Sequence, residues 1–255
     1  MLLLKLILTP LLTGLVSFAG RRWGPVVSGW LVGLPLTSGP IALFLALELG
    51  NTFAAKAAQG SLAGLISLAA FCLTYNWLSF HIHWLACMLL GWCAFFVVTF
   101  LLQFVSIPLL VTFIAVLSCL ALTLKVSSEK QRAAPSFKSV TWDIPLRMIV
   151  ATMFVLMLTG FANLLGPRLS GLLAPFPIYA TILAVFTHRM LGAYSARRLL
   201  RGVITGAFSF AVFFLTIAEL VVPLGIVVAF SLATLFTLLL HGLSFYLLRT
   251  YKFAQ

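Results

Sequence analysis

Two stretches of this chain set prolines and hydroxyl side chains together inside long apolar runs. The first reads Ser28-Gly-Trp-Leu-Val-Gly-Leu-Pro35-Leu-Thr37-Ser38-Gly39-Pro40, the second Ser170-Gly-Leu-Leu-Ala-Pro175-Phe-Pro177-Ile-Tyr179-Ala-Thr181. Proline removes a backbone donor and clashes with the carbonyl one turn earlier, so a helix carrying either stretch is kinked or locally unwound. Carbonyls freed at bilayer depth persist only where they are buried in protein or line a cavity. Broken helices at matching places in two halves of a chain point to a midplane binding site. The candidate substrate-binding set is therefore Pro35, Thr37, Ser38, Pro175, Pro177, Tyr179 and Thr181. The competing reading is a pair of kinks that serve packing alone.

Ionisable groups that could couple such a site to an ion are few. Of the four acids, Glu129 and Asp143 fall in a polar linker, Glu48 closes an apolar run, and Glu219 stands in Ile217-Ala-Glu-Leu-Val-Val-Pro223. A carboxylate inside lipid is costly and often functional, whereas one at the interface is ordinary. His241, within Leu-Leu-Leu-His-Gly, is a third ion-coupling candidate; its plainer role is a neutral imidazole bonded across helices. His188 and Arg189 are candidates for holding an anion or a headgroup, against simple anchoring by positive charge. His81-x-His83 is no metal pair, because positions i and i+2 diverge on a helix and no third ligand follows. The four cysteines lie in apolar runs without a Cys-x-x-Cys pair and read as packing residues. Nucleotide-binding and hydrolase motifs are absent, so the expectation is a protein that is not an enzyme and takes no cofactor or metal.

The elements that must position these residues follow from composition. With 63% hydrophobic and 8% charged residues, the chain has too little polar surface to face water. At roughly 20 apolar residues per crossing there is room for about nine transmembrane helices. The spans are expected at about 1–20, 26–47, 60–80, 83–102, 108–124, 145–165, 168–188, 202–220 and 223–248. The net charge of +12 sits at the ends of apolar runs rather than on a polar face, which argues against nucleic acid and for topology control.

The spans are organised by an internal match. Gly24-Pro25-Val-Val-Ser28-Gly29 returns as Gly166-Pro167-Arg-Leu-Ser170-Gly171, an offset of 142 (166 − 24). The register then holds without a gap: Pro35 falls on Pro177, Gly50 on Gly192, Gly60 on Gly202, Gly64 on Gly206 and Ser67 on Ser209. Residues 1–103 form one four-helix repeat, 104–142 a connector helix and cytoplasmic linker, and 143–255 the second repeat. The odd number of spans between the two starts makes the repeats inverted. One orientation gathers Arg21, Arg22, the 125–147 linker, Arg189, Arg197, Arg198, Arg201, Arg249 and Lys252 on one side and leaves Lys5, Lys56 and Arg168 on the other. This predicts an outside N-terminus and a cytoplasmic C-terminus. The first span, which could pass for a signal peptide, is expected to be retained because its repeat partner is internal. Gly60/Gly64 and Gly202/Gly206 are small-residue faces suited to close packing within the chain or to a homodimer.

From Ser170 through Gly192 to Phe213 the second repeat resembles the GlpM family of small bacterial inner-membrane proteins with four helices. The resemblance implies a bacterial inner membrane, a fused pair of such units, and a loose association with exopolysaccharide production; it carries over no catalytic residues. The expected function is a secondary transporter or a flippase for a lipid-linked precursor, with a small-molecule or lipid-linked substrate held between the broken second and seventh spans. The alternative is a non-transporting scaffold or assembly factor for envelope or exopolysaccharide biosynthesis.

Overall fold

The computed structural model describes residues 2–23, 34–127 and 143–253. The first part of the expected second span, with Ser28 and Gly29, and the 128–142 linker with Glu129 lie outside the described residues. Among them the elements are α1 Leu2–Trp23, α2 Ser38–Leu49, α3 Asn51–Leu78, α4 Trp84–Gln103, α5 Leu109–Val126, α6 Asp143–Gly160, α7 Ala162–Leu173 and α8 Ile178–Phe253. Four runs are long and apolar enough to cross a bilayer: Asn51–Leu78, Trp84–Gln103, Leu109–Val126 and Ile178–Leu243. The last has 66 residues; unbroken it would be about 100 Å long, some three times the hydrocarbon thickness. Non-helical backbone at Gly192 and Gly225 divides it into three pieces. The described residues are all-helical, and these long apolar runs suit a membrane protein.

Two stretches expected as loops, 50–59 and 192–201, are instead helical from 51 and from 193 onward. Each is replaced by one glycine, Gly50 at φ 87°, ψ 168° and Gly192 at φ 81°, ψ 175°. Only glycine occupies that region without strain, and one such residue redirects the chain without a loop. The expected seventh span is likewise two helices, because α7 ends at Leu173 and α8 begins at Ile178.

α3 is the hub, packed against α2, α4, α5, α7 and α8. Its first half buries Ala54, Ala57, Ala58, Gly60, Ser61 and Gly64, a surface small enough for backbones to approach closely. A Cβ on Gly60 would lie 2.6 Å from the Arg168 carbonyl oxygen, and one on Gly64 2.7 Å from that of Leu172. The Gly60/Gly64 face is thus filled by α7 of the same chain. Gly202 and Gly206 are buried as well. The second half of α3 carries Phe71, Cys72 and Tyr75 into a core shared with Phe210 and Phe214 of α8. Large side chains of α4, α5 and the last part of α8, among them Phe100, Ile114 and Leu239, point outward, as a lipid-facing surface requires.

α1 and α6 cross antiparallel. Lys5 meets Thr159, and nine residues on Gly14 meets Met148. In the 142-residue register, Thr159 corresponds to Ser17 and Met148 to Leu6.

Candidate functional site

The two proline stretches fold into the same turn. The Leu36 N–H donates to the Leu34 carbonyl at 2.8 Å around Pro35, and the Ile178 N–H donates to the Phe176 carbonyl at 2.8 Å around Pro177. This three-residue turn wants a central φ near the value that the proline ring imposes. The helix that follows opens identically. The Gly39 N–H donates to the Pro35 carbonyl and the Thr181 N–H to the Pro177 carbonyl, each at 2.8 Å. Every one of these residues is matched by its counterpart 142 positions away (177 − 35).

The surroundings of the two turns differ. At the second, Pro175 packs on Gly64, and the Phe176 ring is clasped by Trp92, Phe95, Phe96 and Phe154 at centroid distances of 5.6, 5.3, 5.4 and 5.7 Å. Thr181 Oγ1 accepts a hydrogen bond from Trp92 Nε1 at 3.1 Å, and Tyr179 is buried. At the first, Thr37 precedes α2 without a side-chain cap bond, and Ser38 is 1% exposed. The Ser38 hydroxyl has no hydrogen-bond partner among the described residues. Gly39 faces Phe213 of α8. α2 and α7 each pack on α3, and α2 also touches α8, the helix that carries Tyr179 and Thr181.

The ion-coupling candidates separate. The Lys5 Nζ lies 2.7 Å from Glu48 Oε2, with side-chain exposures of 8% and 27%, and also donates to Thr159 Oγ1 at 3.0 Å. It stands 5.5 Å from the Phe44 ring centroid. Glu48 therefore belongs to a pair that ties α1, α2 and α6 together. A cation inside the apolar run Leu2-Leu-Leu-Lys5-Leu-Ile-Leu must find an acid, which is the sequence signal for this contact. Glu219 is exposed.

His241 is buried, with Nδ1 3.1 Å from Ser209 Oγ. Its counterpart, Thr99, donates to Ser67 Oγ at 2.9 Å. Both pairs bridge residues 32 apart, and both members of each are related by the 142-residue offset. This favours a helix-bridging role for His241. His241→Thr should cost less than about 1 kcal/mol, the usual worth of an interhelical hydrogen bond in a membrane protein. A folded His241→Thr protein without ion-driven function would assign the imidazole a relay role; a fully active one assigns it packing.

His188 turns inward, with Nδ1 3.3 Å from Tyr75 Oη, while Arg189 is exposed. The two adjacent residues do not share a face. Close by, Arg197 Nε donates to the buried Asn76 Oδ1 at 2.7 Å and its guanidinium lies over the Phe80 ring at 4.7 Å. The Phe80 ring also packs edge-on against Tyr194 at 4.7 Å. These contacts fix residues 188–197 at the C-terminal end of α3, the opposite end from Gly50. Asn76 and Trp92 are site neighbours that the sequence pattern does not single out; a lone amide in an apolar helix is the one available hint. His81 bonds the Trp77 carbonyl at 3.1 Å and His83 caps α4.

A scan of protein-family models, a search of curated proteins and a search of solved structures each find no match to this chain.

Proposed function

We propose that this chain is a bilayer carrier assembled from two copies of one helical module, inverted relative to each other, with its substrate taken up beside the paired proline turns. On this reading the chain has nine spans, the Lys5–Thr159 hydrogen bond links the two copies while Glu48 neutralises Lys5 within the first, and the substrate is a small polar solute or the head of a lipid-linked precursor. The membrane is the bacterial inner membrane, as the GlpM resemblance of the second half implies. The observation that carries the reading is the identity of the two turns at Pro35 and Pro177, one of which leaves the Ser38 hydroxyl buried and unpartnered. A polar atom in that condition costs about 1–3 kcal/mol, a cost that a bound solute or water offsets. Inversion is supported by two further features. Gly50 and Gly192 share a conformation yet stand at opposite ends of α3, and the matching helices α1 and α6 cross antiparallel, as a twofold axis in the membrane plane demands.

One observation favours the scaffold reading. The aromatic cage around Phe176 leaves the second turn packed rather than open. A carrier must part those rings in another state, and a scaffold need not. The two readings separate on Ser38→Cys in a background without native cysteines. A carrier admits a small charged thiol reagent to that position from both sides of the membrane, and added substrate protects it. No labelling from either side sinks the carrier and leaves the scaffold, whose expected signature is a stoichiometric envelope-biosynthesis partner. In the carrier, Pro35→Ala and Pro177→Ala should each lower flux about tenfold or more, the effect of misplacing a site by an ångström or so, with membrane insertion intact.

A further inference from the structure

A cavity of about 270 Å³ opens where α3 begins, between α3, the α4–α5 connection and α7. Its mouth carries Lys56, Gln59, Ser106 and Arg168, and its floor runs over Ala63 and Ile66 of α3. Arg168 is held in place by neutral groups: it donates to Ser106 Oγ at 2.9 Å, to the Leu102 carbonyl at 2.9 Å and to the Val105 carbonyl. Its charge is thus fixed in position and not cancelled. Lys56 is exposed at the mouth and forms no ion pair among the described residues. No acid lines the cavity. α5 starts here at Pro108 without a side-chain cap, so its first-turn N–H groups add to the positive potential. Two uncancelled cations in a partly enclosed, low-dielectric space make a strong anion trap.

The shape names the anion further. Residues 56, 59, 63 and 66 follow one stripe of α3, and the ten residue steps from one end of that stripe to the other span about 15 Å. The stripe passes from charged to apolar in the direction of the bilayer interior. Val105, which lines the cavity, is exposed next to Phe104, so hydrocarbon can enter sideways. We propose that this cavity binds an anionic phospholipid, with the phosphate between Lys56 and Arg168 and an acyl chain over Ala63 and Ile66. The site needs no transport and stands whether the chain is a carrier or a scaffold.

The test uses the purified full chain in neutral detergent, titrated with phosphatidylglycerol, phosphatidylcholine or inorganic phosphate, and read by native mass spectrometry and thermal unfolding. One tightly held phosphatidylglycerol is expected, with phosphatidylcholine far weaker. Lys56→Glu should weaken phosphatidylglycerol about tenfold or more and leave the lipid-free melting temperature unchanged, since Lys56 is exposed and forms no ion pair among the described residues. Arg168→Gln also weakens binding, but it unties the α4–α5 connection, so Lys56→Glu is the decisive variant. Equal phosphatidylglycerol binding by the parent and Lys56→Glu overturns the site. Protection by inorganic phosphate equal to that by phosphatidylglycerol overturns the lipid assignment.

Discussion

Replacing Glu48 with glutamine lowers the stability of the purified protein by up to about 3 kcal/mol, the lower end of the cost of breaking a buried ion pair from one side, because Glu48 is still partly exposed. The loss comes from Lys5, not from Glu48. With the carboxylate gone, the ammonium is left 8% exposed on an apolar helix with neutral partners, the Thr159 hydroxyl, the Phe44 ring and the amide oxygen of the new glutamine. Two charges taken from water gain little net stability from each other, but one charge without the other is expensive. The double variant Lys5→Met/Glu48→Met should therefore recover most of the loss, and a melting curve in detergent reads the difference as roughly 10 °C between single and double variants. The same pair of proteins decides whether Glu48 couples an ion. A double variant that is stable but no longer driven by an ion gradient makes the pair part of the transport cycle. One that is stable and fully active makes it a strut.

Gly171→Leu is the second large effect. A Cβ at this position would stand 2.1 Å from the Ala57 carbonyl oxygen and 2.9 Å from the Gly60 Cα. Both are backbone atoms, so no rotamer change relieves the clash and α7 must lift off α3. Overpacking costs about 1–3 kcal/mol where side chains can yield and more where they cannot; Gly171→Leu belongs at or beyond the upper end, with even Gly171→Ala clearly destabilising. Gly242→Ala is the control. Nothing lies within 4 Å of its Cβ position, and alanine is a better helix former by about 1 kcal/mol, so that variant should be neutral or slightly stabilised. A scan of thermal unfolding across the three proteins checks the contrast.

The sequence made the proline turns legible because proline acts through its own backbone, whatever surrounds it. Small residues at Gly60 and Gly64 also announced a close approach, although only the fold supplies α7 as the partner. Helix boundaries at 51 and 193 were hidden for a different reason. Asn51-Thr-Phe-Ala-Ala-Lys56-Ala-Ala-Gln59 looks like a loop by polarity, yet its alanines favour helix, and a single glycine at positive φ turns the chain just before it. The apolar run around Lys5 requires an acid, but the contact spans 43 residues, and the choice of Glu48 follows from packing of α1 on α2. The cage around Phe176 gathers rings from α4 and α6, a convergence that periodicity on one helix does not encode.

The opposed orientation of the two modules is what the carrier reading rests on, and matching positions just beyond Gly50 and Gly192 test it. Asn51→Cys and Ala193→Cys, each in a background without native cysteines, are exposed to a membrane-impermeant maleimide in intact cells and again after permeabilisation. Asn51→Cys is expected to react in intact cells and Ala193→Cys only once the membrane is opened. Labelling of both from the same side contradicts it.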